Sequence, residues 1–113
     1  MSYDIFKNCI SECCDCAVTC AQCATACIEE KNNQNLVRCI KLDIECKSMC
    51  LKAIDAMASN SEFTGKICEL CAEICDACAE ECSKFSHIAH CRRCADSCHT
   101  CADECRNIVH VAA

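Results

Sequence analysis

At 113 residues, with 20 cysteines, one glycine, no proline and a formal charge of −6, the chain suits a single domain, 1–113, with a modest core. The lack of proline and near-lack of glycine argue against sandwiches, Rossmann units and phosphate loops. The acidic balance disfavours nucleic acid or an anionic membrane as a partner.

Taken in order, the first helix is expected from Ser2 or Asp4, both plausible caps, to about Lys31. Its beginning, MSYDIFKNC, shows neither a basic stretch nor an apolar run, so no secretory or twin-arginine leader is expected. Cysteines then recur at Cys9, Cys13, Cys16, Cys20, Cys23 and Cys27, a column of about 27 Å at the ~1.5 Å rise of a helix. Cys14 lies beside this column and is expected to face a neighbouring helix or another subunit. A polar turn follows, Asn32-Asn33-Gln34-Asn35.

The second helix is expected over about Gln34–Ala58, with fewer thiols: Cys39, Cys46 and Cys50. Asp43 stands where a cysteine belongs. Its functional reading is an oxygen ligand or gate, but a carboxylate is a hard donor poorly matched to thiolates, so we expect it turned to solvent or paired with a lysine. Met49 and Met57 read as core filler at helical spacing.

Ser59-Asn60-Ser61-Glu62 offers a capping box for a third helix over roughly Ser61–Phe85, carrying Cys68, Cys71, Cys75, Cys78 and Cys82. Its intervening Glu69, Glu73, Asp76, Glu80 and Glu81 read as a solvated face. The fourth helix, about His87–Val111, carries Cys91, Cys94, Cys98, Cys101 and Cys105. His87 extends its seam by one step and His90 flanks Cys91, at the same end as Asn32 and Asn35; His99 and His110 read as surface residues.

One skeleton runs through these helices: C-x2-C-A-x2-C-x2-C-A-x2-C at Cys68–Cys82 and Cys91–Cys105, and again at Cys13–Cys27 with Cys14 out of register. Displacing Cys91–Cys105 back by the interval between Cys13 and Cys68 lands on Leu36–Cys50, a degraded copy with Leu36 and Asp43 in place of cysteine. The chain therefore reads as a duplicated helical hairpin. Alternating steps of three and four average 3.5 residues, the period of one seam in a helical bundle. We expect an all-α, antiparallel four-helix bundle with a cysteine-lined core.

Within a helix, Cβ atoms three or four residues apart stand about 5–6 Å from one another. A disulfide wants about 3.8 Å, so such pairs suit a metal ion between two sulfurs better. The C-x2-C and C-x3-C pairs overlap into continuous ladders rather than separate four-ligand sets. Zinc prefers closed four-thiolate sites, each left with a charge of −2 that is hard to bury repeatedly. Soft Cu(I) takes two or three thiolates and can share each sulfur, and one Cu(I) per thiolate leaves the column neutral. With no stretch near the ~18 apolar residues of a membrane span, a cytosolic, reducing location is the default, where cysteines are metal ligands rather than a disulfide framework.

The repeated segments and the His90-Cys91-Arg92-Arg93-Cys94 opening of the last helix resemble the cytosolic branch of the bacterial copper storage proteins over roughly Cys9–Cys105. The resemblance implies a four-helix bundle whose thiolates hold many Cu(I) ions, assembled as a homotetramer. It also implies metal uptake at a histidine-bearing end, where His87 and His90 match. Other classes with the same thiols are a zinc or cadmium buffer, a thiol redox buffer and an iron–sulfur carrier, whose ligands usually sit on loops. No catalytic constellation is visible, so an enzyme is not expected.

Overall fold

The computed structural model describes residues 2–112, with the side chains of 4–111. It contains α1 (Ser2–Glu29), a short 3-10 turn (Asn33–Leu36), α2 (Val37–Ala58), α3 (Thr64–Ser83) and α4 (Ala89–Ala112). α1 packs on α2 and α4, and α3 on α4 and α2, while among the described residues the diagonal pairs make no close backbone approach. The result is an antiparallel four-helix bundle of 48 × 18 × 18 Å whose axis is left to side chains. None of the described helices is long and apolar enough to cross a membrane.

Those axial side chains are thiols. Every cysteine except Cys14 is buried, interleaved with Ala17, Ala72, Ala79, Ala95 and Ala102, which let the helices approach closely. Buried large apolar residues are confined to the ends. Phe6, Met57 and Ile108 are buried where α1 and α3 begin and α2 and α4 end, and Leu36 is buried at the other end. Met57 is core, Met49 packs against it half-buried, and His99 and His110 are exposed.

The helix ends differ from the sequence expectations by one to three residues, for identifiable reasons. α1 stops at Glu29 because Asn32 turns left-handed (φ 56°), and the Asn33 side-chain amide caps it by donating to the Ile28 carbonyl at 2.9 Å. The expected Ser59–Glu62 capping box does not form. Ser59 instead closes α2, its hydroxyl donating to the Asp55 carbonyl at 2.8 Å, and Asn60 reverses the chain at φ 52°. α3 is started by Ser61, whose Oγ accepts the Phe63 N–H at 3.1 Å. Buried Thr64 ties it to α2 by donating to the Ala56 carbonyl at 3.2 Å. α4 begins at Ala89, so His87 lies in the turn before it rather than on its seam.

Candidate metal centre

The 3.5-residue seam brings sulfurs from all four helices into one continuous column. Across α1 and α4 the Sγ–Sγ distances are 3.7 Å for Cys9–Cys105, 3.6 Å for Cys13–Cys101, 3.7 Å for Cys16–Cys98 and 3.8 Å for Cys20–Cys94. α2 and α3 add Cys46–Cys75 at 3.6 Å and Cys71–Cys50 at 4.0 Å. Along single helices Cys16–Cys20, Cys23–Cys27 and Cys94–Cys98 each stand 3.9 Å apart. Two sulfurs each ~2.3 Å from one ion stand roughly 3.8–4.0 Å apart at tetrahedral or trigonal angles, so the column has the spacing of a metal–thiolate lattice.

Ligand sets form along the whole length. Cys13, Cys71, Cys101 and Cys105 make one quartet; Cys16, Cys46, Cys50 and Cys75 a second; Cys16, Cys20, Cys46 and Cys98 a third; Cys20, Cys78, Cys94 and Cys98 a fourth. Cys16, Cys20, Cys46 and Cys98 each belong to two quartets, so the sites cannot all be filled without sharing sulfurs. Cys68 joins Cys9 and Cys105 at the end capped by Phe6.

The opposite end has mixed donors. Cys23, Cys27, His90 and Cys91 gather within one ligand set, with His90 Nδ1 at 3.7, 3.8 and 3.6 Å from the three sulfurs. Cys39 and Cys82 approach to 3.2 Å, the shortest Sγ–Sγ distance of the column.

Three sequence expectations fail here. Asp43 is neither solvent-facing nor paired with lysine: it is fully buried, with Oδ1 accepting from Cys78 and Cys94 at 3.2 Å each and from Cys82 at 3.7 Å. Its step of four from Cys39 and three to Cys46 puts it on the seam, and helical geometry overrides its preference for water. His87 is exposed and joins none of the four-donor sets described; it lines a surface hollow of about 230 Å³ with Glu30, Lys31, Asn32, Asn35, Leu36, Phe85 and Ile88. The expected solvated face of α3 is also broken by Glu81, which is buried beside Cys82 and bridged to Arg38 and Lys84 at 3.0 Å each, pinning α2 to α3.

Packing so many acids together shifts their protons. Burial pushes Cys27 up and Cys91 up to about 11. Deeper in the column, hydrogen bonding drives neighbours in opposite directions: Cys98 upward through Cys16, and Cys16 downward through Cys101 and Cys20. Burial pushes the Asp43 carboxyl up to about 8, with the Cys94 sulfur adding to the rise and hydrogen bonds from Cys23 and Cys78 opposing it. The array resists ionising as a whole until cations arrive to replace the protons.

The profile of the copper storage protein family matches residues 2–110. The chain is 47% identical over 86 residues to the cysteine-rich protein YhjQ of Bacillus subtilis, covering 76% of this chain and 79% of that one. It is similar in structure to the Cu(I)-bound copper storage protein BsCsp3, at TM-score 0.89 and 44% identity, covering 93% of this chain and 98% of that one. A cytosolic copper storage protein from Streptomyces lividans, solved with five coppers, gives TM-score 0.89 and 30% identity, covering 96% and 95%.

Proposed function

The chain belongs to the copper storage protein family, and on that premise we propose that it stores Cu(I) in the cytosol, sequestering many ions on the thiolates of its axis. The store comprises Cys9, Cys13, Cys16, Cys20, Cys23, Cys27, Cys39, Cys46, Cys50, Cys68, Cys71, Cys75, Cys78, Cys82, Cys91, Cys94, Cys98, Cys101 and Cys105. The observation that carries this reading is the sharing of Cys16, Cys20, Cys46 and Cys98 between adjacent quartets. Shared sulfurs suit a soft monovalent ion that bridges two or three thiolates, and one Cu(I) for each proton released keeps the buried axis neutral. Closed zinc sites would compete for the same sulfurs and leave repeated buried charge.

Copper enters at the end bearing His90, with His87 on its rim. Imidazole is less soft than thiolate, which suits capture and transfer better than final storage. At the far end the last thiols are instead covered by buried Phe6, Met57 and Ile108, which offer an ion no ligand atoms beyond the Met57 thioether. Storage needs no chemical transformation of the cargo, so the protein is a reservoir rather than an enzyme, and it works as a homo-oligomer. An anaerobic Cu(I) titration against a competing chelator, followed by metal analysis of the isolated protein, should saturate near one ion per cysteine, on the order of 15–20 per chain. A plateau at four or five ions, or displacement of Cu(I) by Zn²⁺ at equal concentration, would replace this reading with a buffer built of discrete tetrahedral sites.

A further inference from the structure

Glu30 continues the α1 seam by one more step, three residues beyond Cys27, and so occupies the position where the thiol column meets solvent. Its place there is electrostatically unfavourable. It directly follows α1, whose last turn carries no basic residue, and a carboxylate at a helix C-terminus faces the negative end of the dipole. The neighbouring His90 carries an unmet need. Its Nδ1 faces Cys23, Cys27 and Cys91, while its Nε2 is buried without a hydrogen-bond partner. The Glu30 carboxylate lies nearby, with Oε1 3.9 Å from that Nε2 and a side chain 39% exposed, free to rotate the remaining distance.

Resting on the reading that copper enters at this end, we propose that Glu30 is the positioning residue of the capture site. Its carboxylate accepts the Nε2–H of His90, which keeps the proton off Nδ1 and turns the Nδ1 lone pair toward the three thiols. A neutral imidazole carries one N–H, and the partner of that N–H decides which nitrogen is free to bind metal. Carboxylate partners of metal-binding histidines act in this way elsewhere, and their loss weakens binding about 10- to 100-fold. Glu30 also lines the outer hollow, together with His87, Asn32 and Asn35. An ion arriving from the rim therefore passes a carboxylate before it meets the first imidazole–thiol set.

The test compares Glu30→Ala, Glu30→Gln, His90→Ala and the Glu30→Ala/His90→Ala double variant in the full-length reduced apo protein, with helical circular dichroism as the folding control. Nitrogen-15 spectra of His90 report the tautomer, and stopped-flow transfer of the first Cu(I) equivalent from a chelator reports capture. Wild type should hold the proton on Nε2. Glu30→Ala should shift the tautomer toward Nδ1–H and slow capture on the order of tenfold. Glu30→Gln, whose amide oxygen still accepts the bond, should recover most of that rate, and the double variant should be no slower than His90→Ala alone. A slow His90→Ala beside a Glu30→Ala with wild-type tautomer and rate would overturn the positioning role alone. So would a Glu30→Gln as slow as Glu30→Ala, or additive losses in the double variant. A His90→Ala variant that captures copper at the wild-type rate would overturn the uptake reading, and the role of Glu30 with it.

Discussion

The two ends of the column are built from different chemistry. Where α1 begins and α4 ends, the thiols of Cys9, Cys68 and Cys105 stop against Phe6, Met57 and Ile108. At the other end the thiols meet His90, Glu30 and, one layer deeper, the Asp43 carboxylate. Soft donors alone favour retention of Cu(I); soft donors mixed with imidazole and carboxylate favour exchange. The same helical seam thus grades from an all-thiol, apolar-capped end to one that mixes thiols with imidazole and carboxylate, by changing a few residues and keeping the spacing.

Opening the apolar-capped end should have the largest effect on stability. Phe6→Ala removes a buried ring and should destabilise the apo protein by about 3–5 kcal/mol in denaturant unfolding. It should also let a His90→Ala background recover copper uptake through the new opening. A Phe6→Ala protein of wild-type stability would mean that the apolar cap is not structural.

Asp43 sharpens the contrast through pH. Its carboxyl is raised to about 8 by burial in the folded apo protein, above the ordinary value of 3.8. Between those values the folded state holds a proton that the unfolded chain has released, so apo stability should fall as pH rises from about 4 to 8. Asp43→Asn should flatten this slope and be the more stable protein at pH 8, by a few kcal/mol in chemical denaturation. An unchanged slope would place the titrating group elsewhere.

The two histidines should separate by rate. His90→Ala should slow Cu(I) uptake about tenfold, the order expected for loss of one coordinating or orienting group, with capacity within one or two ions of wild type. His87→Ala should cost less, because the side chain sits in the outer hollow and away from the sulfurs. Equal effects would put both on the same step.

Which residues belong to the axis was legible in the sequence, because a period of 3.5 decides what faces the centre whatever the residue's chemistry. That rule covered Asp43 and Glu30 as well. Asp43 sits on a seam step and was read by its affinity for water instead of its position, and Glu30, one step past Cys27, was given no role at all. The ends were less legible because they depend on turns. Left-handed Asn32 and Asn60 shape the first and second turns, and the start of α4 at Ala89 leaves His87 off its expected register. Glu81 was hidden for another reason: its partners Arg38 and Lys84 come from α2 and from beyond the end of α3, a meeting that only the packed bundle creates.

The central claim is that adjacent sites share sulfurs. X-ray absorption at the copper edge, on reduced protein loaded anaerobically with about half its capacity, tests this most directly, because a sulfur shared by two ions holds them close together. The account predicts Cu(I) in two- and three-coordinate sulfur environments together with a clear copper–copper scattering shell at this partial loading. Copper–sulfur scattering with no copper–copper shell would mean isolated ions in separate sites and would contradict the account.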